Sequence, residues 1–289
     1  MLSPPETFVG QSGRVYSIER VLQQKESPSR HVYLGTYKFV LKNVSESSFV
    51  DYQDLYRGLQ SCPHLRVPCD TIPERSAFVY RYLSDTLLSL AQEDLPLSLV
   101  KRILKDALRG LSALHDRDTV HTDIKADNIL VQRSDPHSAT VDLVQLADLE
   151  DSAHVPPGSH ASGPVNKPSD MFSFGIVCLY AVHKRVIFAV GEDELGEGED
   201  VLSHVLERQI SYFADEEVLA VFLRYLGDNP WVQVFSVIRD NFNGENPRKP
   251  VSQDVDADLR HLVAGLTDFD PAKRLTAHEA LDHHWFDGA

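Results

Sequence analysis

His121-Thr122-Asp123-Ile124-Lys125-Ala126-Asp127-Asn128-Ile129-Leu130-Val131, with Leu146-Ala147-Asp148 following it, is the stretch whose reading decides the fold. A helix is expected before it: Leu99, Val100, Ile103, Leu104, Ala107, Leu108, Leu111 and Leu114 recur at helical spacing. Lys101, Arg102, Lys105, Asp106 and Arg109 occupy the other face. Two short strands are expected after it, Ile129 to Gln132 and Val141 to Ala147, linked through the turn-forming Asp135-Pro136. A long helix, a polar loop, a hairpin and an Asp at its end would gather three groups in one small space. Asp123 would accept a proton from a hydroxyl nucleophile. Asn128 and Asp148 offer oxygen ligands suited to Mg2+, a hard ion that usually keeps phosphate and water as its other ligands. Lys125 would neutralise charge developing on a transferred phosphoryl group, a transfer that depends mostly on positioning and charge stabilisation.

Outward toward the N-terminus the chain reads as strands. Val15 to Leu22 and Val32 to Val44 are rich in Val, Tyr, Ile and Phe, with the polar stretch Gln23 to Arg30 between them. Phe49 to Leu59 reads as a short helix, and Ala77 to Leu83 returns to strand character. Beyond the hairpin the chain turns helical, with helices expected over Asp170 to Val182, Val201 to Leu226 and Asp256 to Leu266. A last helix should begin near Thr276, where Glu279 three residues on completes a capping box. Gly191 to Asp200 is acidic and reads as a solvated loop.

His-x-Asp-x-Lys-x-x-Asn resembles the catalytic loop of eukaryotic protein kinases, and Asp148 falls where their Asp-Phe-Gly motif begins. Thr122 and Leu149 resemble the SR-protein kinases and their LAMMER relatives, and Lys125 implies a Ser/Thr preference. Phe39-Val40-Leu41-Lys42 resembles the Val-Ala-Ile-Lys strand, which would make Lys42 the contact to the α and β phosphates of ATP. Tyr80-Arg81-Tyr82-Leu83 sits where the hinge would be, implying backbone contacts to adenine from Arg81 and Leu83. Ser169-Asp170 looks like the start of the buried helix whose Asp holds the catalytic loop, and Asp270-Pro271-Ala272-Lys273-Arg274 with His284-Trp285-Phe286 resembles the domain's end. The resemblance implies an α+β, bilobal protein-kinase-like fold over residues 15–286. It would comprise a small β-rich N-lobe with one helix (15–82) and a larger α-helical C-lobe (83–286).

Several parts of that pattern are missing. The interval Gln23 to Arg30 has no glycine where Gly-x-Gly-x-x-Gly should cover the phosphates, and Pro28 removes a donor. Gly10-Gln11-Ser12-Gly13 comes too early and reads as a turn. The helix that should pair a Glu with Lys42 offers Gln53 and Asp54 near the expected position. Asp148-Leu149-Glu150 replaces Asp-Phe-Gly, and no Ala-Pro-Glu occurs before Asp170, so Arg274 lacks its usual partner and is either solvated or served by another acid. Thr122 replaces the Arg that often reads a phosphorylated activation loop, so regulation by that route is not expected.

Composition narrows the function. A formal charge of −15 argues against a general nucleic-acid binder and favours basic partners. The three cysteines have no metal-ligand spacing and an odd number, which points to a reducing intracellular compartment, cytoplasmic or nuclear. No signal peptide is visible, and the apolar run Met171 to Val182 falls short of the roughly 20 residues a bilayer requires, so no membrane association is expected. His278, His283 and His284 lack zinc-protease spacing, and His121 and Asp170 read as structural. Cys178 and the aromatics near Trp231 and Trp285 read as core.

Three functions compete. The first is ATP- and Mg2+-dependent transfer to Ser/Thr hydroxyls of protein substrates, with catalytic Asp123 and Lys125, nucleotide contacts from Lys42, Arg81 and Leu83, and metal ligands Asn128 and Asp148. The second is a pseudokinase, a nucleotide-binding or scaffolding module with a protein partner. The third is a small-molecule kinase of the aminoglycoside or choline type, against which Lys125, Asp170 and Arg274 all argue.

Overall fold

The computed structural model describes residues 6–26, 29–35, 38–135, 140–154, 166–196, 198, 200–242, 247–249 and 255–289. Its N-terminal layer is a six-stranded antiparallel sheet of β1 (Thr7–Val9), β2 (Val15–Glu26), β3 (Ser29–Gly35), β4 (Phe39–Asn43), β5 (Asp70–Ile72) and β6 (Ala77–Arg81). The spatial order is β1-β2-β3-β4-β6-β5. One helix, α1 (Glu46–Leu59), packs against it. Ser45 starts α1 by accepting from the Ser48 amide, and the helix buries Phe49, Tyr56 and Leu59 at helical spacing. Gly13, at φ 82, closes a turn onto the Gly10 carbonyl, as expected for that early glycine pair.

The sheet corrects two readings. The polar stretch Gln23 to Arg30 is largely strand, because β2 and β3 stay paired out to Glu26 opposite Ser29. Ladder hydrogen bonds outweigh the weak strand preference of Gln and Lys there. Val32 to Val44 is two strands, since the chain reverses between Gly35 and Phe39, which face each other in the register of β3 and β4.

After the sheet come β7 (Asp85–Thr86), α2 (Leu87–Leu90), α3 (Leu97–His115), β8 (Thr119–Val120), β9 (Ile129–Gln132), β10 (Leu143–Leu146) and β11 (Ala153–His154). The helical part closes with α4 (Lys167–His183), α5 (Val201–Phe213), α6 (Glu216–Leu226), α7 (Trp231–Asn241), α8 (Ala257–Leu266) and α9 (Ala277–Leu281). A β-rich part with one helix is thus followed by a helical part, the architecture expected. Val201 to Leu226 is two helices, because Asp215 leaves the helix and caps α6 by accepting from the Val218 amide. Trp231 starts α7 and is 44% exposed, so it is not core, whereas Trp285 (2%) and Cys178 (0%) are. Asp135 is described, while Pro136 of the proposed turn, Glu197 and Glu199 of the acidic loop, and residues 155–165 of the shortened segment lie outside the described residues.

One continuous apolar cluster runs from Val40 and Phe49 through α3 and α4 to Trp285 and Phe286. The two parts also meet through backbone. The Leu146 amide donates to the His64 carbonyl and the Arg66 amide to the Leu146 carbonyl, stitching the chain after α1 to the end of β10. That segment presses on α3 at Gly110, where a Cβ would stand 2.6 Å from the His64 carbonyl oxygen. Among the described residues no helix is long and apolar enough to cross a membrane.

Candidate active site

The loop between β8 and β9 is held from below by Asp170, which α4 presents in its first turn, after the Asn166–Ser169 capping box. One Asp170 oxygen accepts from the His121 amide (2.7 Å), the other from the Thr122 amide (2.9 Å), and His115 stands 3.0 Å away. These contacts hold Thr122 at φ 72, a left-handed conformation costly for a β-branched residue. The Thr122 hydroxyl adds a bond to the Asp151 carbonyl at 2.9 Å. His121 is fully buried and accepts at Nδ1 from the Asp123 amide, so Nε2 carries the proton it donates to the Ala147 carbonyl (2.8 Å). Burial pushes the imidazole below its usual range and keeps it neutral. His121 and Asp170 are therefore the structural residues expected.

Above this floor the polar groups converge. Lys125 Nζ lies 2.6 Å from Asp123 Oδ2, and that hydrogen bond raises the ammonium above its ordinary pKa. Asn128 donates through Nδ2 to the Asp123 carbonyl (2.8 Å) and carboxylate (3.1 Å), leaving Oδ1 as the atom a hard cation would take. The Ala147 amide donates to the Asn128 carbonyl at 2.8 Å, which brings the adjacent Asp148, at φ 64, over the same loop. These residues line a cleft of about 470 Å³ with Lys42, Tyr80 and Glu150. Gln23 and Val32 line it from the paired β2 and β3. The side chains of residues 25–30, and residues 27 and 28 altogether, lie outside the described structure.

Lys42 projects from β4 and meets two acids. It forms ion pairs with Asp148 and, at 2.9 Å, with Glu150. Burial opposes its charge, but the two carboxylates outweigh burial and raise its pKa. Burial likewise opposes ionisation of Asp148, and Lys42 outweighs that and holds the carboxyl below its usual range. Glu150 is 4% exposed and accepts a second bond from the Tyr80 hydroxyl at 2.9 Å. Tyr80 meets the Tyr56 hydroxyl of α1 at 2.8 Å. Burial raises both phenols well above their ordinary range, so both stay protonated. The Arg66 guanidinium sits 4.9 Å from the Tyr80 ring centre, and burial lowers its pKa.

The α1 acid is thus not where the sequence pointed. Asp54 lies on the surface, paired with Arg57 at 2.8 Å. The acid that meets Lys42 is Glu150, from the loop after β10. Its only sequence signal is an acidic residue where a glycine was expected. Arg81 and Leu83 are not among the described residues lining the cleft. Arg81 ends β6, its carbonyl taken at 3.4 Å by Arg66, and the Tyr82 amide between them donates to the Lys38 carbonyl.

Arg274 overturns both expectations for it. No acid serves it among the described residues, and it is not solvated. Its guanidinium donates to the Asp268 carbonyl (Nε, 2.8 Å) and the Pro168 carbonyl (Nη1, 2.6 Å), over the Phe172 ring. Burial brings its pKa down to about 10, which leaves it charged at neutral pH.

A two-part α+β fold with a lysine-bearing strand facing a polar loop across a cleft is the architecture of phosphotransferases acting on nucleotides. Residues 11–286 match the protein kinase domain, and the chain belongs to that family. It is 35% identical over 94 residues to the membrane-associated tyrosine- and threonine-specific cdc2-inhibitory kinase of Drosophila melanogaster, covering 29% of this chain and 18% of that protein. It is 24% identical over 253 residues to serine/threonine-protein kinase AFC1 of Arabidopsis thaliana, covering 71% and 52%. With extracellular signal-regulated kinase 1 of Dictyostelium discoideum it shares 27% identity over 203 residues, covering 62% and 34%. The chain therefore spans about half or less of the length of these relatives.

Proposed function

We propose that the chain transfers the terminal phosphoryl group of ATP to Ser or Thr hydroxyls of proteins, with Mg2+ as the metal. The observation that carries this is the convergence of Lys42, Asp123, Lys125, Asn128 and Asp148 on one cleft. Asp123 takes the proton from the hydroxyl, and its 2.6 Å contact with Lys125 sets that ammonium beside the point of transfer. Asn128 Oδ1 and the Asp148 carboxylate form the hard oxygen set that fits Mg2+, and Lys42 supplies the cation for the phosphates. The bound metal nucleotide supplies the phosphoryl group and charge neutralisation. Relatives named as serine/threonine-protein kinases support the hydroxyl class. The charge of −15 supports a basic substrate or scaffold partner, and three free cysteines support an intracellular setting.

A general base contributes about 10²–10⁴-fold, so Asp123→Asn is expected to lose nearly all turnover on a basic Ser-containing peptide while keeping nucleotide binding. Unchanged turnover would remove Asp123 from the mechanism. One observation favours a second reading, a scaffold that binds nucleotide without transfer: β2 and β3 remain paired over the cleft with no glycine in the interval. Mg-ATP at about 100 times its dissociation constant should stabilise the protein by roughly 2.7 kcal/mol. A thermal shift present in the wild type, lost in Asp148→Ala and accompanied by no phosphorylation of any peptide would select that second reading.

A further inference from the structure

We infer that Glu150 is the residue that positions Lys42 for the nucleotide phosphates, in place of an acid on α1. The inference rests on the proposed phosphotransfer site and names a positioning residue within it. Three observations carry it. Glu150 meets Lys42 at 2.9 Å with its own side chain 2% exposed, so its charge is held out of water by its partners alone. The acid that α1 does offer, Asp54, faces outward against Arg57. Asp148, the other carboxylate on Lys42, is the metal-ligand candidate, so Glu150 is the partner left to the lysine when the metal takes Asp148.

The carboxylate is itself fixed. Tyr80 has one hydroxyl proton and donates it to Glu150 Oε1, so Tyr56 must donate to Tyr80. A buried relay therefore runs from α1 through two neutral phenols to the acid that holds the lysine. From the other side, Glu150 shares a short helical turn, Leu149–Asp151, with the residue after Asp148, and the Thr122 hydroxyl bonds that turn at the Asp151 carbonyl. Lysine anchor and metal-ligand candidate are thus parts of one segment locked to the catalytic loop. The placement of Lys42 then follows the loop, and α1 contributes only through the hydroxyl relay.

The test is a double-mutant cycle on the full chain, read as the dissociation constant for Mg-ATP by calorimetry, with wild type, Glu150→Gln, Lys42→Ala, the double variant and Asp54→Ala. Glu150→Gln should weaken binding about tenfold or more, as expected for a lost charge-assisted contact. In the Lys42→Ala background the same change should cost nothing further, and Asp54→Ala should bind as wild type. A full additional loss in the Lys42→Ala background would overturn the inference, because Glu150 would then act without the lysine. So would wild-type affinity in Glu150→Gln alongside a clear loss in Lys42→Ala. If Lys42→Ala itself binds as wild type, the phosphate site is what fails, a separate result. Should Glu150→Gln not fold, Tyr80→Phe goes through the same cycle: a loss that vanishes without Lys42 supports the inference, and unaltered affinity overturns it.

Discussion

Lys42 and Arg274 face the same problem at opposite ends of the molecule and solve it differently. Each is a partly buried cation whose usual acidic partner is missing at the expected place in the sequence. Lys42 recruits another acid, Glu150, and keeps a charge pair. Arg274 is neutralised by no acid among the described residues and instead donates to the Asp268 and Pro168 carbonyls. A planar guanidinium with five donors can be satisfied by fixed backbone dipoles, whereas a compact ammonium that must also meet phosphate is held by carboxylates. The lesson is that the cleft retains its charge logic where the periphery retains only its geometry.

The largest expected effect breaks the Lys42 side of that contrast. Lys42→Ala leaves Glu150 buried without its cation and should destabilise the protein by about 3–5 kcal/mol, measured by denaturant unfolding. Adding Glu150→Gln should recover much of that loss; no recovery would mean the pair is not what stabilises the site. The pH dependence sharpens this. Asp148 is held below its unfolded value of about 4, so its contribution is present above that value and is lost as pH falls through the folded one. Wild-type stability should therefore fall more steeply than that of Lys42→Ala between about pH 5 and pH 2.

Breaking the Arg274 side should cost less. Arg274→Ala leaves two partly buried carbonyls short of a donor, worth about 2 kcal/mol and a fall of roughly 4–8 °C in melting temperature. Because Pro168 opens the helix that carries Asp170, the loss should appear as stability while Mg-ATP affinity stays near wild type. A drop in affinity matching that of Lys42→Ala would show that the two cations are not separable.

The catalytic loop was legible because its chemistry is written within eight residues, His121 to Asn128, and its supports lie on the adjoining α3 and β9. Glu150 was visible as an oddity and illegible as a partner, because its burial depends on Tyr80 and Lys42, which lie 70 and 108 residues away in sequence. The α1 acid was misassigned for a related reason: helical spacing places Gln53 and Asp54 to within a residue or two, and the face turned inward belongs to Tyr56. The extension of β2 and β3 was hidden by polar composition, since antiparallel pairing is a long-range fact that local propensity does not carry. Conversely, the α4 helix and Asp170 were legible because an apolar run with an acid in its first turn has few other uses in a protein of this size.

The smallest expected effect tests how far α1 shares in the lysine's placement. Tyr56→Phe keeps the ring packed 5.2 Å from Phe78 and removes only the hydroxyl that donates to Tyr80. Tyr80 still has its own proton for Glu150, so the pair on Lys42 should survive. The expected cost is about 0.5–1.5 kcal/mol in unfolding free energy, with a change in Mg-ATP affinity of less than about threefold. A loss of affinity as large as that from Glu150→Gln would mean that α1 governs Lys42 after all, through the relay instead of through an ion pair. The contrast between the two cations would then be one of route, because both would depend on packing at a distance.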